Sequence, residues 1–208
     1  MSRSDIEAGY DLVAEEYAAE YAEELNRKPF DRQVLDRFAL AMHGRGLVCE
    51  LGSGPGQIAR YLKDRGLDMC GIDLSAEMVR LATSLHPDIP FRRADILAPD
   101  LQPCSVAGIV AFYSIIHLRR EDVPRALSVM HEALQPRGRL LLAFHGGEGT
   151  LHRERWFDKP VSIDVTMFGT AEMSRYVEEA GFVVDEVAER PPYEFEYQTS
   201  RTYVWATR

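Results

Sequence analysis

Apolar runs alternate with amphipathic segments along the chain, and this alternation gives the first indication of the fold. Residues 47–51 and 106–112 are nearly all apolar, which is typical of strands buried on both faces in a parallel sheet. Outside such runs, apolar residues recur at helical spacing, as they do from Pro29 to Phe38. The pattern predicts a three-layer α/β fold, in which helices cover both faces of one sheet.

The same pattern places the individual elements and their boundaries. Strands are predicted at 47–51, 69–72, 90–94, 106–112, 139–144, 182–187 and 202–206. Helices are predicted at 4–26, from Pro29, at 57–65, after a Ser75 cap, at 122–134 and at 170–180. A loop without a helix joins the last two strands, so the last strand is expected to run antiparallel. Residues 146–169 are expected to be a long irregular insertion, and no linker divides the 208 residues, which predicts one domain over 1–208.

Charge and composition exclude several classes of function. The chain has 33 acidic and 24 basic residues, a formal charge of −9, which disfavours a nucleic-acid partner because phosphate contacts need Lys or Arg. No apolar run approaches the roughly 20 residues that span a membrane, and the amino terminus lacks the pattern of a secretory signal. Cys49, Cys70 and Cys104 are odd in number and widely spaced, which favours reduced thiols. A soluble, cytoplasmic protein is therefore expected.

Polar residues lie at or just after the ends of several predicted strands. In open α/β sheets, ligands bind beyond the carboxyl ends of the strands. We therefore expect these side chains to converge on one rim: Glu50, Asp73, Asp95, Tyr113 and His145. The rim is the predicted location of a binding site.

A glycine loop directly follows the first predicted strand, with glycines at positions 52, 54 and 56. Such a loop lets the backbone turn sharply and approach a ligand, although an ordinary strand-to-helix turn is the alternative. A dinucleotide fingerprint would need its third glycine at position 57, which is Gln57 here. The spacing therefore does not fit a nicotinamide dinucleotide.

Asp73 ends the second predicted strand, 17 residues after Gly56. A carboxylate at this place can accept hydrogen bonds from both hydroxyls of a ribose. The alternative is that Asp73 only caps the helix that begins near Ser75. The first interpretation implies an adenosine-containing ligand.

Together these motifs are similar to those of class I S-adenosylmethionine-dependent methyltransferases of the small-molecule type. The glycine-loop segment 48–56 and the Asp73 segment 71–75 carry the resemblance most strongly. Further segments match in order along nearly the whole chain: 10–17, 94–96, 112–118, 134–140 and 179–182. The resemblance implies a Rossmann-like sheet of seven mostly parallel strands with an antiparallel last strand, preceded by a helical lid within residues 1–44.

The resemblance also implies roles for particular residues toward S-adenosylmethionine. Glu50 and the glycine loop would hold the methionine end, Asp73 the ribose, and Asp95 the adenine amino group. Met78 would pack against the ring, although methionine at helical spacing more often packs in a core. The complete implied set is Tyr17, Glu50, Gly52, Gly54, Gly56, Asp73, Leu74, Met78, Asp95, Ile96, Phe112, Tyr113, Ser114 and His117.

Methyl transfer from a sulfonium mainly needs an aligned nucleophile in a dry pocket, so neither a metal nor a nucleophilic triad is required. A hydroxyl or protonated amine acceptor would benefit from a general base. His145 is the first candidate and His117 the second, with Tyr113 and Tyr17 as further rim residues. A hydrogen-bonded histidine at a strand end is the alternative for His145. His145, His152 and Asp158 lack the compact spacing of a metal site, so no metal is expected.

The leading hypothesis is methyl transfer to a small molecule, with S-adenosylhomocysteine as the product of the cofactor. The alternatives are a non-catalytic protein that binds an adenosyl ligand and a nucleotide-dependent oxidoreductase. The insertion 146–169 is expected to shape the acceptor pocket through aromatic and apolar residues that include Trp156, Phe157, Met167 and Phe168. The sequence does not identify the acceptor or the oligomeric state.

Overall fold

A computed structural model describes residues 3–208 of the chain. Within this range the strands are β1 (Leu47–Leu51), β2 (Asp68–Asp73), β3 (Phe91–Arg93), β4 (Val106–Phe112), β5 (Leu134–Gly146), β6 (Thr150–Trp156), β7 (Lys159–Thr166), β8 (Val183–Arg190) and β9 (Ser200–Thr207). The α-helices are α1 (Arg3–Tyr21), α2 (Pro29–Met42), α3 (Gln57–Lys63), α4 (Ala76–Leu85), α5 (Val123–Ala133) and α6 (Thr170–Glu179).

Seven of these strands form one sheet in the order β3-β2-β1-β4-β5-β9-β8. The pairs from β3 to β5 are parallel, whereas β9 is antiparallel to both β5 and β8. The predicted fold class is therefore confirmed, including the antiparallel last strand. Because the strand order reverses direction at β1 and β4, their carboxyl ends form the crevice where ligands bind in such sheets.

Both faces of the sheet are covered, as the nearly continuous apolar strands require. Successive residues of one strand point to opposite sides, so Val48 packs toward α2 and α3 while Cys49 packs toward the opposite face, which α5 and α6 cover. Ile109 and Val110 of β4 likewise pack on opposite faces of the sheet. All four side chains are fully buried.

Residues 146–169 differ from the sequence-based expectation. They are not irregular, because β6 and β7 pair antiparallel as a separate two-stranded sheet, a β-hairpin. The hairpin packs on α1, where a Cβ at Gly9 would lie 2.9 Å from Ile163. A glycine inside this helix therefore permits close approach of the hairpin.

Other differences concern the ends of elements. The first helix ends at Tyr21, and a 3-10 turn at Glu24–Arg27 follows it, instead of one helix to residue 26. The Ser75 cap is confirmed, because its Oγ accepts a hydrogen bond from the Met78 N–H at 3.1 Å. The earlier end of the first helix does not change the position of the rim.

Candidate functional site

A cavity of about 540 Å³ opens at the carboxyl ends of the central strands. Residues at or just after the ends of β1, β2, β4 and β5 form its floor. Helix α1, the β-hairpin and the loop between β8 and β9 complete the wall. Its size lies in the range of small-molecule sites.

The glycines of the loop after β1 serve packing within the protein as well as leaving space for a ligand. A Cβ at Gly52 would collide with the side chain of Ser114, and one at Gly56 would lie 2.7 Å from the Phe91 ring. A Cβ at Gly54 would meet nothing closer than 3.8 Å, where Tyr17 lies. Gly54 is therefore the loop glycine with room beside it, whereas Gly52 and Gly56 permit close internal packing.

Asp73 fixes the loop from the end of β2. One carboxylate oxygen accepts the Gly54 N–H at 2.7 Å, and the other accepts the Ser75 N–H at 2.9 Å. Each carboxylate oxygen has two lone pairs, so acceptor capacity remains on the cavity side. Burial raises the pKa of Asp73, and its backbone hydrogen bonds oppose that rise. Because Ser75 itself caps α4, the carboxylate of Asp73 is not needed as that helix cap.

Two further groups at the loop have capacity to bind a cation. Glu50 is almost fully buried, accepts the Ala59 N–H at 2.9 Å, and pairs with no cationic side chain in residues 3–208. Burial raises its pKa well above the ordinary value. The Oε1 atom of Gln57 is buried without a hydrogen-bond partner, while its Nε2 donates to Glu24. A positively charged ligand group would satisfy both oxygens.

An aromatic cluster covers the loop from above. Tyr10 and Tyr17 of α1 meet Trp156 of the β-hairpin, with ring centroids 5.6 and 5.4 Å apart. Lys159 of β7 joins the same surfaces, since its Nζ donates to the Leu12 carbonyl oxygen and to Glu16, both at 2.8 Å. The cover over the loop therefore consists of two parts, α1 and the β-hairpin.

His117 links three parts of this cover. Its Nδ1 lies 3.0 Å from the backbone oxygen of Asp164, and its Nε2 lies 2.6 Å from the Tyr10 hydroxyl. A carbonyl oxygen only accepts, so Nδ1 carries the proton and Nε2 accepts from Tyr10. Burial lowers the pKa of His117 to about 4, which keeps the ring neutral near pH 7. Its bare nitrogen is occupied by Tyr10, which suits a positioning role better than that of a base.

His145 lies at the other end of the cavity, beside the ring of Tyr113 at 5.6 Å. Its Nδ1 is 2.7 Å from Thr199 Oγ1. Burial and the charge of Arg201 lower the pKa of His145 to about 3. A neutral ring with so low a pKa is a weak base and a good hydrogen-bonding group.

Tyr113 occupies a backbone conformation that a bulky residue rarely adopts, with φ +58°. Its hydroxyl donates to Asp31 at 3.1 Å and meets the Tyr203 hydroxyl at the same distance. Burial raises the pKa of Tyr113 and of Tyr17 well above the ordinary value. Both tyrosines are therefore protonated donors, which argues against either one as a general base.

A buried charge network supports this end of the cavity. Arg190 donates to Asp31 at 2.7 Å and to Glu196 at 2.6 Å, and the side chains of all three are no more than 7% exposed. Burial alone would raise the pKa of Glu196, but hydrogen bonds from Arg190 and backbone, with nearby cations, lower it to about 2. The network fixes the β8–β9 loop beneath Tyr113.

Most residues implied by the resemblance line the cavity, and some do not. Those on the wall are Tyr17, Glu50, Gly52, Gly54, Asp73, Leu74, Ile96, Phe112, Tyr113, Ser114, His117 and His145. Gly56 packs against Phe91. Met78 lies in a small apolar cluster between α1 and α4, which agrees with the alternative that it packs in a core. Asp95 is bound by Arg3, whose Nε donates to it at 2.8 Å, so Arg3 rather than Asp95 faces the cavity.

Sequence reasoning missed several wall residues. Tyr10, Gln57, Lys28 and Arg153 all line the cavity. The period-2 pattern of Val161, Ile163 and Val165 in β7 could have revealed the hairpin that carries Arg153. Nothing local in the sequence marks Lys28 or Gln57, because their places depend on the tertiary fold.

Other kinds of site are not evident in the described chain. None of the helices in residues 3–208 has the length and apolar character that a membrane-spanning helix needs. Within the same residues, no three or more His, Cys, Asp or Glu side chains are grouped so as to hold a metal ion.

Comparison with known proteins adds to this geometry. Residues 48–138, from β1 into β5, match the family model described as a methyltransferase domain. This part of the chain is therefore similar to methyltransferase domains. An uncharacterised methyltransferase of Oceanobacillus iheyensis is 31% identical over 91 residues, which are 44% of this chain and 43% of that relative. The matched region thus spans less than half of that methyltransferase.

Solved methyltransferase structures share the whole fold. The DhpI complex with S-adenosylhomocysteine matches with a TM-score of 0.75 at 21% identity, covering 98% of this chain and 95% of that one. A S-adenosylmethionine-dependent methyltransferase of Methanosarcina mazei matches with a TM-score of 0.71 at 15% identity, covering 78% and 92%. At these identities, the likeness shows the fold alone.

Proposed function

We propose that this protein is a methyltransferase that binds S-adenosylmethionine on the glycine loop and transfers its methyl group to a small-molecule acceptor. The observation that carries the proposal is the set of acidic and acceptor groups around that loop: Glu50, Gln57 and Asp73, all of which line the cavity. When bound, the cofactor supplies a methyl group activated by a sulfonium.

The residues at the loop fit such a cofactor. Glu50 and Gln57 have buried acceptor oxygens that lack a cationic partner in the described chain, and an amino group would satisfy them. Asp73 retains lone pairs for the hydroxyls of a ribose. Leu74, Ile96 and Phe112 offer apolar surface for a base.

The acceptor would enter the half of the cavity that Tyr113, His145 and the β8–β9 loop line. The strained Tyr113 backbone and the buried Asp31–Arg190–Glu196 network give this half a fixed shape. A fixed shape favours an aligned nucleophile, and alignment supplies much of the rate in such displacements. His145 would orient the acceptor by hydrogen bonding, because its lowered pKa makes it a weak base.

The β-hairpin and α1 would exclude water from the reacting groups. Trp156, Tyr10 and Tyr17 close the cavity above the glycine loop. Exclusion of water strengthens electrostatic interactions inside a site. The insertion 146–169 would thus act as a cover and as part of the acceptor wall.

Methyl transfer is tested by incubating the protein with a small-molecule metabolite extract and S-adenosylmethionine labelled in its methyl group. Label is expected in a small-molecule product, together with S-adenosylhomocysteine. A variant with Asp73→Asn, which weakens the loop and the ribose contact, should lose this transfer. Binding of S-adenosylhomocysteine without any transfer would favour a non-catalytic adenosyl-binding protein instead.

A further inference from the structure

The cationic side chains on the cavity wall differ in how their charge is compensated. Arg3, Lys28 and Arg201 each form an ion pair with a carboxylate. Arg27 is exposed, so water can solvate its guanidinium. Arg153 differs from these four, because it is half-buried and pairs with no carboxylate of residues 3–208.

The position of Arg153 directs its charge into the cavity. It lies on β6 of the hairpin, and its guanidinium lies over the ring of Trp156 at 4.6 Å from the centroid. Burial has the largest effect on the pKa of Tyr10, Tyr21 and His117, and the charge of Arg153 also contributes to each. The guanidinium is therefore within electrostatic reach of three wall residues.

A half-buried cation without a counter-ion is unfavourable until something compensates it. Stacking on an indole holds a guanidinium in place but leaves its N–H groups free to donate. A guanidinium matches the planar, two-oxygen edge of a carboxylate or phosphate, and such bidentate pairs are among the strongest hydrogen bonds in proteins.

We propose that Arg153 binds an anionic group, a carboxylate or a phosphate, of a ligand in the cavity. The inference rests on the proposed function, since that function supplies two sources of such a group. One source is the carboxylate of the cofactor's amino-acid arm, and the other is an anionic group on the acceptor. The two sources differ in which ligands should bind more weakly when Arg153 is replaced.

The test is calorimetry on the Arg153→Met variant with three kinds of probe. S-adenosylhomocysteine carries the amino-acid arm, and 5′-methylthioadenosine lacks it. Inorganic phosphate and acetate, added to protein saturated with S-adenosylhomocysteine, probe the acceptor half. If Arg153 binds the cofactor, its loss weakens S-adenosylhomocysteine about tenfold or more and leaves 5′-methylthioadenosine unchanged. If it binds the acceptor, phosphate or acetate binding is lost instead.

Two further variants distinguish charge recognition from loss of structure. Arg155→Met is the matched control, because Arg155 lies on the same strand, is exposed and donates to the Asp158 carbonyl oxygen outside the cavity. It should bind every probe as the wild type does. Arg153→Lys keeps the charge and should recover part of the affinity.

Unchanged binding of all probes by the folded Arg153→Met variant would overturn the inference. Equal losses in the Arg155→Met variant would also overturn it, since a general effect on the hairpin would then explain them. Failure of the wild-type protein to bind S-adenosylhomocysteine would count against the proposed function, and phosphate and acetate alone would still test Arg153.

Discussion

Gly52 and Gly44 have nearly the same backbone conformation, φ +74° and +70°, but different surroundings. A Cβ at Gly52 would collide with Ser114, whereas one at Gly44 would meet nothing within 4 Å. We expect Gly44→Ala to cost about 1–2 kcal/mol of unfolding free energy from its left-handed backbone alone. Gly52→Ala should cost about 1–3 kcal/mol more, since overpacking adds to the same strain. Urea unfolding measures both, and equal losses would contradict the packing role of Gly52.

The hydrogen bond between Tyr10 and His117 makes a second prediction at this scale. Tyr10→Phe removes the donor to a buried nitrogen, and an unsatisfied buried acceptor costs about 1–3 kcal/mol of unfolding free energy. Tyr21→Phe is the control, because the Tyr21 hydroxyl has no hydrogen-bond partner among residues 3–208 and should change stability by less than about 0.5 kcal/mol. Chemical denaturation compares the two, and a Tyr10→Phe loss no larger than the control would refute the link.

The sequence predicts the position of a site residue where that position depends on a local pattern. Glu50, Gly54 and Asp73 lie at or just after the ends of apolar strands, so their places on the rim were evident from the strands alone. Arg153 and Gln57 reach the same cavity through the packing of the hairpin and α3, which no local pattern encodes. Their functional roles, like those of the other site residues, stay predictions.

The β-hairpin is the element that the sequence analysis did not identify. Its turn has positive φ at Phe157 and Asp158, +48° and +60°, where Asn-Gly would be the usual signal. Strand β6 is mostly polar, because only part of one face is covered, and its burial alternates weakly. Gly9 of α1 is explained only by this hairpin, because Ile163 lies against it.

Helix α1 and the β-hairpin are joined by Lys159, which makes a prediction about their motion. Lys159→Met removes the ion pair to Glu16 and the bond to the Leu12 carbonyl oxygen. A partly exposed ion pair contributes little to global stability, so the melting temperature should change by only about 1–2 °C. Hydrogen exchange of amides in α1 should become faster, because the helix opens more often.

The exposed pair of Arg175 and Glu179 on α6 gives the matched control for that experiment. Arg175→Met removes an ion pair of α6, which is not part of the contact between α1 and the β-hairpin. It should leave exchange in α1 unchanged. Equally faster exchange of α1 amides in both variants, or unchanged exchange in Lys159→Met, would show that Lys159 does not hold α1 against the hairpin.

For the whole molecule, the sheet could be predicted because its central strands are buried on both faces and read as apolar runs. The antiparallel end could be predicted because Pro191 and Pro192 lie in a connection without a helix. The half of the cavity beside Tyr113 and His145 could not be predicted, since its shape depends on ion pairs between distant parts of the chain. Arg190 and Asp31, which are 159 residues apart in sequence, are an example.

Acid stability is a property of the whole molecule that the buried histidines should control. His117 and His145 have pKa values near 4 and 3 in the folded state, below the ordinary 6.5. The unfolded chain therefore binds protons first, and unfolding free energy should fall as pH drops from about 6.5. Each histidine contributes up to about 1.4 kcal/mol per pH unit in this window.

Glu196 should add to the acid loss at lower pH. Its folded pKa of about 2 lies below the ordinary 4.5, so its contribution to the unfolding free energy is present above pH 4.5 and is lost as pH falls toward 2.

The contribution of His145 is tested by chemical denaturation between pH 7 and 3. The unfolding free energy should fall less steeply with pH for His145→Gln than for the wild type. Identical slopes would contradict the buried neutral state of His145.

The central claim is that the glycine-loop cavity binds an adenosyl cofactor, and calorimetric titration of the wild-type protein tests it most directly. S-adenosylhomocysteine should bind at one site per chain, with affinity reduced about tenfold or more by Glu50→Gln, which weakens the acceptor for its amino group. NADH should not bind, since Gln57 replaces the glycine of a dinucleotide loop. Binding of NADH without binding of S-adenosylhomocysteine would contradict the account.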